Sequence, residues 1–329
     1  MNRSIILAFL LSILYTGCAQ KTNTGIQELY KEFWTHVDEN YIYFKQKGVN
    51  WDAQKVQWLT YLAEQDSQDD LFYAMEQSLL ALKDGHNLLR APSKRAKTYN
   101  FRTGYDVHFD LDVVKNNYLQ DSVTIHDGIN YSKINQLVYL HIKAMQYNNS
   151  LEQIIRSLDP QDTQGLIIDI RGNGGGNSNG VPHLLGLFVK EKTYLGAYLE
   201  KSGPGHNDVT EPLPVYANPR ADLHLDYPVV VLTDRGSYSA STYFAAMFKG
   251  LPNVAIVGQQ TGGGGGGNAG YELSNGWVVA VSVSDFIDKD GGSIEPGVVP
   301  DILVENSEDD LKQGRDQMLE KAIKVLLKE

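Results

Sequence analysis

A chain of 329 residues, 42% hydrophobic and 21% charged, can bury one large core, or one core plus a small helical domain. Its composition is that of an ordinary globular protein and excludes a disordered one. A formal charge of −11, with no Lys/Arg-rich run to offset it, argues against nucleic acid as a partner.

Residues 1–17 read as a secretion signal: one early positive charge, then an apolar run too short for a comfortable membrane span. The only cysteine, Cys18, follows Thr16 and Gly17 at the end of that run, which resembles a bacterial lipoprotein signal. Lipidation of Cys18 is therefore expected, against the alternative of an ordinary signal with an incidental cysteine. Ala19 to Thr24 then forms a short polar tether, and the expected location is the cell envelope, lipid-anchored. With one cysteine there is no disulfide framework and no thiolate metal site. No His/Cys/carboxylate cluster has ligand spacing, so neither metal nor cofactor is expected.

Residues 26–90 read as helical. Leu71, Met75, Leu79 and Leu82 recur on one face, Asp69 and Asp70 sit where an N-cap belongs, and Gly85 is placed to stop the helix. Phe33, Trp34, Tyr41, Phe44, Trp51 and Trp58 supply a small helical core. From about residue 96 the pattern changes to strands. Tyr105–Val113 alternates apolar and polar, Leu137–Ile142 and Gly165–Arg171 are further strands, and Ser150–Leu158 is a short helix between them. Residues 190–227, rich in glycine, proline and polar residues, read as an irregular excursion. Strands at 228–233, 254–257 and 277–283 follow, and a helix from Glu308 to Leu327 closes the chain. Strands alternating with helices imply an α/β core. The expected divisions are a signal at 1–17, a tether and helical domain at 18–95, and an α/β domain at 96–329.

Five segments carry chemistry. Asp234-Arg-Gly-Ser-Tyr-Ser-Ala-Ser241 lies between a buried strand and a helix, so Ser237, Ser239 and Ser241 share a strand-to-helix turn. Such serines either cap the helix or present a nucleophile whose following N–H faces an oxyanion. Asp169-Ile-Arg-Gly-Asn-Gly-Gly-Gly-Asn177 is neither a dinucleotide fingerprint nor a phosphate loop, but its glycines permit close backbone approach by a ligand. Six glycines, Gly262 through Gly267, form either a flexible linker or a wall along which a substrate backbone runs. His86, in an Asp-Gly-His-Asn turn, and Glu295, in Gly292-Ser-Ile-Glu-Pro-Gly-Val-Val-Pro-Asp301, are each either structural or catalytic.

The order of these segments is specific. Leu-x-Asp-Gly-His, Asp-x-Arg-x-Asn-x-Gly-Gly, Ser-x-Ser-Ala-Ser and Gly-Val-x-Pro-Asp together resemble the serine peptidase family of C-terminal-processing (tail-specific) and tricorn proteases, over roughly residues 28–305. The resemblance implies a ClpP/crotonase-like α/β core with Ser239 as nucleophile and the Ala240 and Gly175 N–H groups as oxyanion hole. Tail-specific proteases use a lysine base, whose place is taken here by Gly264. The chain resembles the tricorn-like branch, which implies His86 as base and Glu295 in the charge network. Residues 96–136 are too few for the PDZ module that many relatives carry. The implied partners are peptides or unfolded protein segments, with a membrane reached through the lipid anchor. A neutral histidine base implies activity rising with pH through about 6–7. An apolar-ligand binder, as in the retinoid-binding protein of the eye, and an esterase share the scaffold. Keeping Ser239, Ala240, His86 and the glycine turn together favours the peptidase, because a binder has no need of that set.

Overall fold

The computed structural model describes residues 25–329, apart from 107, 120–123, 127, 147–149 and 160. The signal, Cys18 and the tether lie outside the described residues.

Four helices come first: α1 (Ile26–Asn40), α2 (Phe44–Lys47), α3 (Trp51–Leu62) and α4 (Gln68–Ala81). Their aromatic faces bury Tyr30, Phe33, Tyr41, Phe44 and Trp51 together. The N-cap of α4 is Ser67, whose hydroxyl accepts from the Asp70 N–H, so the two aspartates occupy the first turn instead, where their charge suits the helix dipole. The helix stops earlier than Gly85: Lys83 takes the left-handed conformation at φ +51.

A hairpin, β1 (Leu88–Ala91) and β2 (Lys94–Arg95), follows. The segment expected as a strand at 105–113 is instead irregular and then helical, as α5 (Leu111–Asn117). The Asp110 carboxylate accepts from the Asp112 N–H, which starts the helix, and Val114 goes into the core with Leu111 and Tyr118 packed beside it. Those three sit at helical spacing, and that period prevails over the alternation.

Next come β3 (Thr124–His126), β4 (Ile129–Ile134), β5 (Leu137–Ile142), α6 (Ser150–Arg156), β6 (Gly165–Asp169) and α7 (Val181–Leu185). The stretch expected to be irregular contains β7 (Thr193–Glu200) and β8 (Leu213–Ala217), an antiparallel pair. Then β9 (Val229–Thr233), α8 (Ala240–Lys249), β10 (Val254–Gly258), β11 (Asn268–Glu272), β12 (Val278–Ser282), β13 (Ser284–Asp288) and β14 (Ile302–Leu303) complete the strands. The terminal helix is two helices, α9 (Glu308–Lys312) and α10 (Gln317–Leu327). Asp316 interrupts it, capping α10 by accepting from the Leu319 N–H.

Seven strands form the central sheet in the order β14-β10-β9-β6-β5-β4-β3, parallel from β14 to β5 and antiparallel thereafter. Residues of β5, β6 and β9 are buried throughout, as a sheet covered on both faces requires. Phe244 and Phe248 of α8 pack on one face, and Met318, Leu319, Ala322 and Leu326 of α10 on the other. The helical segment shares its core with Val279 and Val281 of β12, which pairs with β1 in a second sheet ordered β11-β12-β1-β2. A third sheet, β13-β7-β8, leans on α8 through Phe286. This is the α/β class expected, with helices leading, and no separate module forms among the described residues of 96–136.

Candidate active site

Strands β6 and β9 are neighbours in the sheet, so the segments leaving their carboxyl ends meet. In parallel sheets such a position is where ligands bind. The turn 234–239 is stitched into that meeting point by backbone hydrogen bonds. The Tyr238 N–H donates to Asn173 O (3.0 Å), the Ser239 N–H to Gly263 O (2.8 Å), and the Gly262 N–H to Ser237 O (2.7 Å). Asp234 holds the first glycine turn from below, accepting from the Gly172 and Ser237 N–H groups through Oδ1. The six-glycine run is thus a wall and not a linker: Gly262 through Gly266 are buried.

The three serines face different surroundings. The Ser237 hydroxyl is buried and donates to Ile170 O (2.8 Å). Ser241 is buried within the helix, with no hydrogen-bond partner for its hydroxyl among the described residues. Ser239 alone meets a base, its Oγ lying 3.0 Å from His86 Nε2. Its backbone sits at φ +56, ψ −123, a conformation that costs a non-glycine residue on the order of 1–3 kcal/mol. That strain turns the side chain out of the turn toward the imidazole. Ala240 is the first residue of α8, so its N–H has no acceptor within the helix.

Gly175 lies across from it. At φ +104, a Cβ there would come within 2.8 Å of Ser239 Cβ and 3.0 Å of the Ala240 nitrogen. Only glycine can pack its backbone so close to Ser239. Its own N–H donates to Asn173 Oδ1 (2.9 Å).

His86 is held by the turn after α4. Its N–H donates to Asp84 Oδ1 (2.8 Å), and Asp84 Oδ2 accepts from Ser282 Oγ (2.8 Å). Burial lowers the imidazole pKa below its ordinary value, and the nearby Asp84 carboxylate opposes this less strongly. At neutral pH the ring is therefore uncharged, the form that accepts a proton from serine. Its Nδ1 makes no hydrogen bond among the described residues.

Glu295 is buried close by but does not touch the imidazole through a hydrogen bond. Its Oε1 accepts from Lys47 Nζ (2.6 Å) and its Oε2 from the Gly265 N–H (2.9 Å). Burial and the Asp84 charge raise its pKa to about 7, with the Lys47 ammonium pulling the other way.

Gly264 faces a filled space: a Cβ there would stand 2.6 Å from Tyr238 Cζ and 3.0 Å from His86 Cε1. Tyr238 in turn stacks on Phe101, with ring centroids 3.9 Å apart. Arg235 fixes that covering segment by donating to Phe101 O and Thr261 O (both 2.8 Å) and lying over the Tyr105 ring.

Four residues here escape sequence reasoning. Asp234, Arg235 and Tyr238 stand inside the serine-bearing segment without a role being legible in it, and Lys47 stands in no motif at all. The Asp-x-Arg motif, in contrast, is structural. Arg171 is fully buried and pairs with Asp169 (2.6 Å) and Asp316 (2.8 Å), away from Ser239. Among the described residues no group of His, Cys, Asp and Glu could hold a metal ion.

The model of peptidase family S41 matches residues 136–304, just over half of the chain, and the tricorn protease C1 domain matches residues 23–79. A crystal structure of a proposed peptidase from Parabacteroides merdae is 32% identical, with a TM-score of 0.85, covering 93% of this chain and 98% of that one. A carboxy-terminal processing protease of Bacillus subtilis is 29% identical over 46% of this chain and 30% of its own. A tricorn protease homolog of Saccharolobus solfataricus is 28% identical over 59% of this chain and 17% of its own. The chain thus spans a third or less of these two curated relatives. Glycine turn, serine turn and late glutamate turn all fall inside the matched span, and the chain belongs to peptidase family S41, a family of serine peptidases.

Proposed function

We propose that the chain hydrolyses peptide bonds in peptides or unfolded protein segments, with Ser239 as nucleophile and His86 as base. The observation that carries this reading is the 3.0 Å approach of Ser239 Oγ to the half-buried imidazole, whose pKa the surrounding protein lowers. The Ser239 hydroxyl donates to Nε2, and as Oγ attacks the scissile carbonyl carbon the proton passes to the imidazole. The carbonyl π electrons move to oxygen, and the Ala240 N–H at the start of α8 receives that oxyanion. Gly175 N–H supplies the second donor by turning from Asn173 Oδ1, a small peptide rotation at a glycine. Strong donors of this kind lower the barrier by roughly 3–4 kcal/mol. The imidazolium then gives its proton to the leaving amine, the C–N bond breaks, and water activated by the same imidazole releases the acyl group from Ser239.

A fluorophosphonate probe tests the assignment. Ser239→Ala is expected to abolish labelling, whereas Ser237→Ala and Ser241→Ala retain it. His86→Ala is expected to slow it by about a thousandfold or more. Labelling that survives in Ser239→Ala would overturn the reading.

The apolar leader and Cys18 support export and lipid anchoring at the bacterial cell envelope. Mass spectrometry of the mature N-terminus should find an acylated Cys18, and an unmodified terminus at Ala19 or beyond removes that part of the proposal.

A further inference from the structure

We propose that Lys47 is a positioning residue for the catalytic pair, locking the turn that carries His86 to the glycine wall opposite it. The proposal rests on the Ser239–His86 reading above. Lys47 is the last residue of α2, in the helical segment and outside every motif. Its ammonium makes two hydrogen bonds in different directions. One goes to Lys83 O (3.0 Å), the carbonyl just before Asp84-Gly85-His86. The other goes to Glu295 Oε1 (2.6 Å).

Glu295 passes the connection on. Its second oxygen accepts from the Gly265 N–H (2.9 Å), and one residue earlier the Gly264 N–H donates to Glu295 O (3.3 Å). Gly264 sits against the His86 ring, where an added Cβ would meet Cε1 at 3.0 Å. The chain of contacts therefore runs from the carbonyl before the His86 turn, through Lys47 and Glu295, to the backbone that flanks the imidazole. It closes on His86 from both sides.

The burial makes this lock obligatory. The Glu295 side chain is 3% exposed and that of Lys47 18%. An enclosed carboxylate with no cation would protonate or pull away from its site. Loss of Lys47 then frees both the Lys83 carbonyl and the Glu295 carboxylate, and the His86 ring loses its fixed distance to Ser239 Oγ. Lys47 reaches neither Ser239 nor His86 by hydrogen bond, so it acts through the geometry of the pair and not as a base.

The test uses the rate of fluorophosphonate labelling as a function of probe concentration. Lys47→Met is expected to lower the limiting rate on the order of tenfold to a hundredfold, the scale of a displacement of about 1 Å at a reacting centre. The half-saturating probe concentration should hold within about twofold, since probe binding is not what Lys47 serves. Lys47→Arg should recover most of the rate, because a guanidinium can keep both bonds. Lys47→Met combined with Glu295→Gln should lose no more than the worse single variant, since the two act as one unit. His86→Ala runs alongside. A His86→Ala rate near wild type would sink the Ser–His reading itself. With His86→Ala inactive, a Lys47→Met rate within twofold of wild type would overturn only the role of Lys47, as would fully additive losses. Should Lys47→Met fail to fold, Lys47→Arg and Glu295→Gln carry the comparison: a wild-type limiting rate in Glu295→Gln refutes the lock.

Discussion

At the scale of single residues, the separation of two titrations governs how this site responds to pH. In the proposed mechanism His86 must be neutral to act, and burial places its pKa below that of an ordinary histidine. Activity should therefore rise with pH through a value lower than the 6–7 an unperturbed ring implies. Glu295, raised to about 7, ionises later and only then pairs fully with Lys47. Labelling rate against pH is expected to show an acid limb steeper than one proton, and Glu295→Gln should reduce it to a single titration lying below pH 6.5. An unchanged limb in that variant would disconnect Glu295 from the site. The sequence makes Ser239, Ala240 and His86 visible because each stands in a short motif. It hides what selects among the serines: the bond from Ser237 to Ile170 O spans 67 residues. Lys47 is hidden for the same reason, being 248 residues from Glu295.

Among elements, the glycine wall has a character that composition leaves open. A run of glycines is compatible with a loose linker, and only the close approach of other backbones decides otherwise. At Gly264, φ is +77 and the nearest ring atoms stand 2.6 and 2.7 Å from an added Cβ. Gly264→Ala is expected to cost about 1–3 kcal/mol of stability from backbone strain. It should also slow labelling on the order of a hundredfold as the His86 ring is pushed aside. Gly270→Ala, in exposed β11 with nothing nearer than 3.8 Å, should change neither. Equal behaviour of the two variants would refute the wall. The buried parallel strands were legible because a sheet covered on both faces demands continuous apolar runs. The strands β7 and β8 were not, since their exposed residues and the turn between them dilute the signal. At 105–113 two periods overlap, and the capping carboxylate of Asp110 decides for helix.

Across the whole molecule, a buried charge network joins the centre of the sheet to the C-terminal helix. Arg171, at the end of β6, binds Asp169 beside it and Asp316 at the start of α10, and Asn306 also donates to Asp316. This fastens the C-terminal helix against the sheet directly beneath the first glycine turn. Arg171→Met should cost about 3–5 kcal/mol, because two carboxylates stay buried without their cation. Denaturant midpoints of Arg171→Met and of the triple variant Asp169→Asn/Arg171→Met/Asp316→Asn check this. The triple variant should recover most of the loss, and an unaltered midpoint for Arg171→Met would contradict it. The class of fold was legible from the alternation of strands and helices, whereas this fastening was not, because nothing near Arg171 in sequence announces a partner 145 residues away.

The left-handed backbone at Ser239 has an evolutionary corollary. A glycine there would lose the hydroxyl and also the strain, so Ser239→Gly should melt higher than Ser239→Ala in calorimetry while being equally inert to a fluorophosphonate. Equal melting temperatures would show that the turn stores nothing. If the difference is found, one of the readiest routes to a sturdier molecule is the replacement that silences it. A lineage released from the need to cleave peptides would then drift toward durable, inactive descendants, and only selection for turnover would keep a serine at position 239.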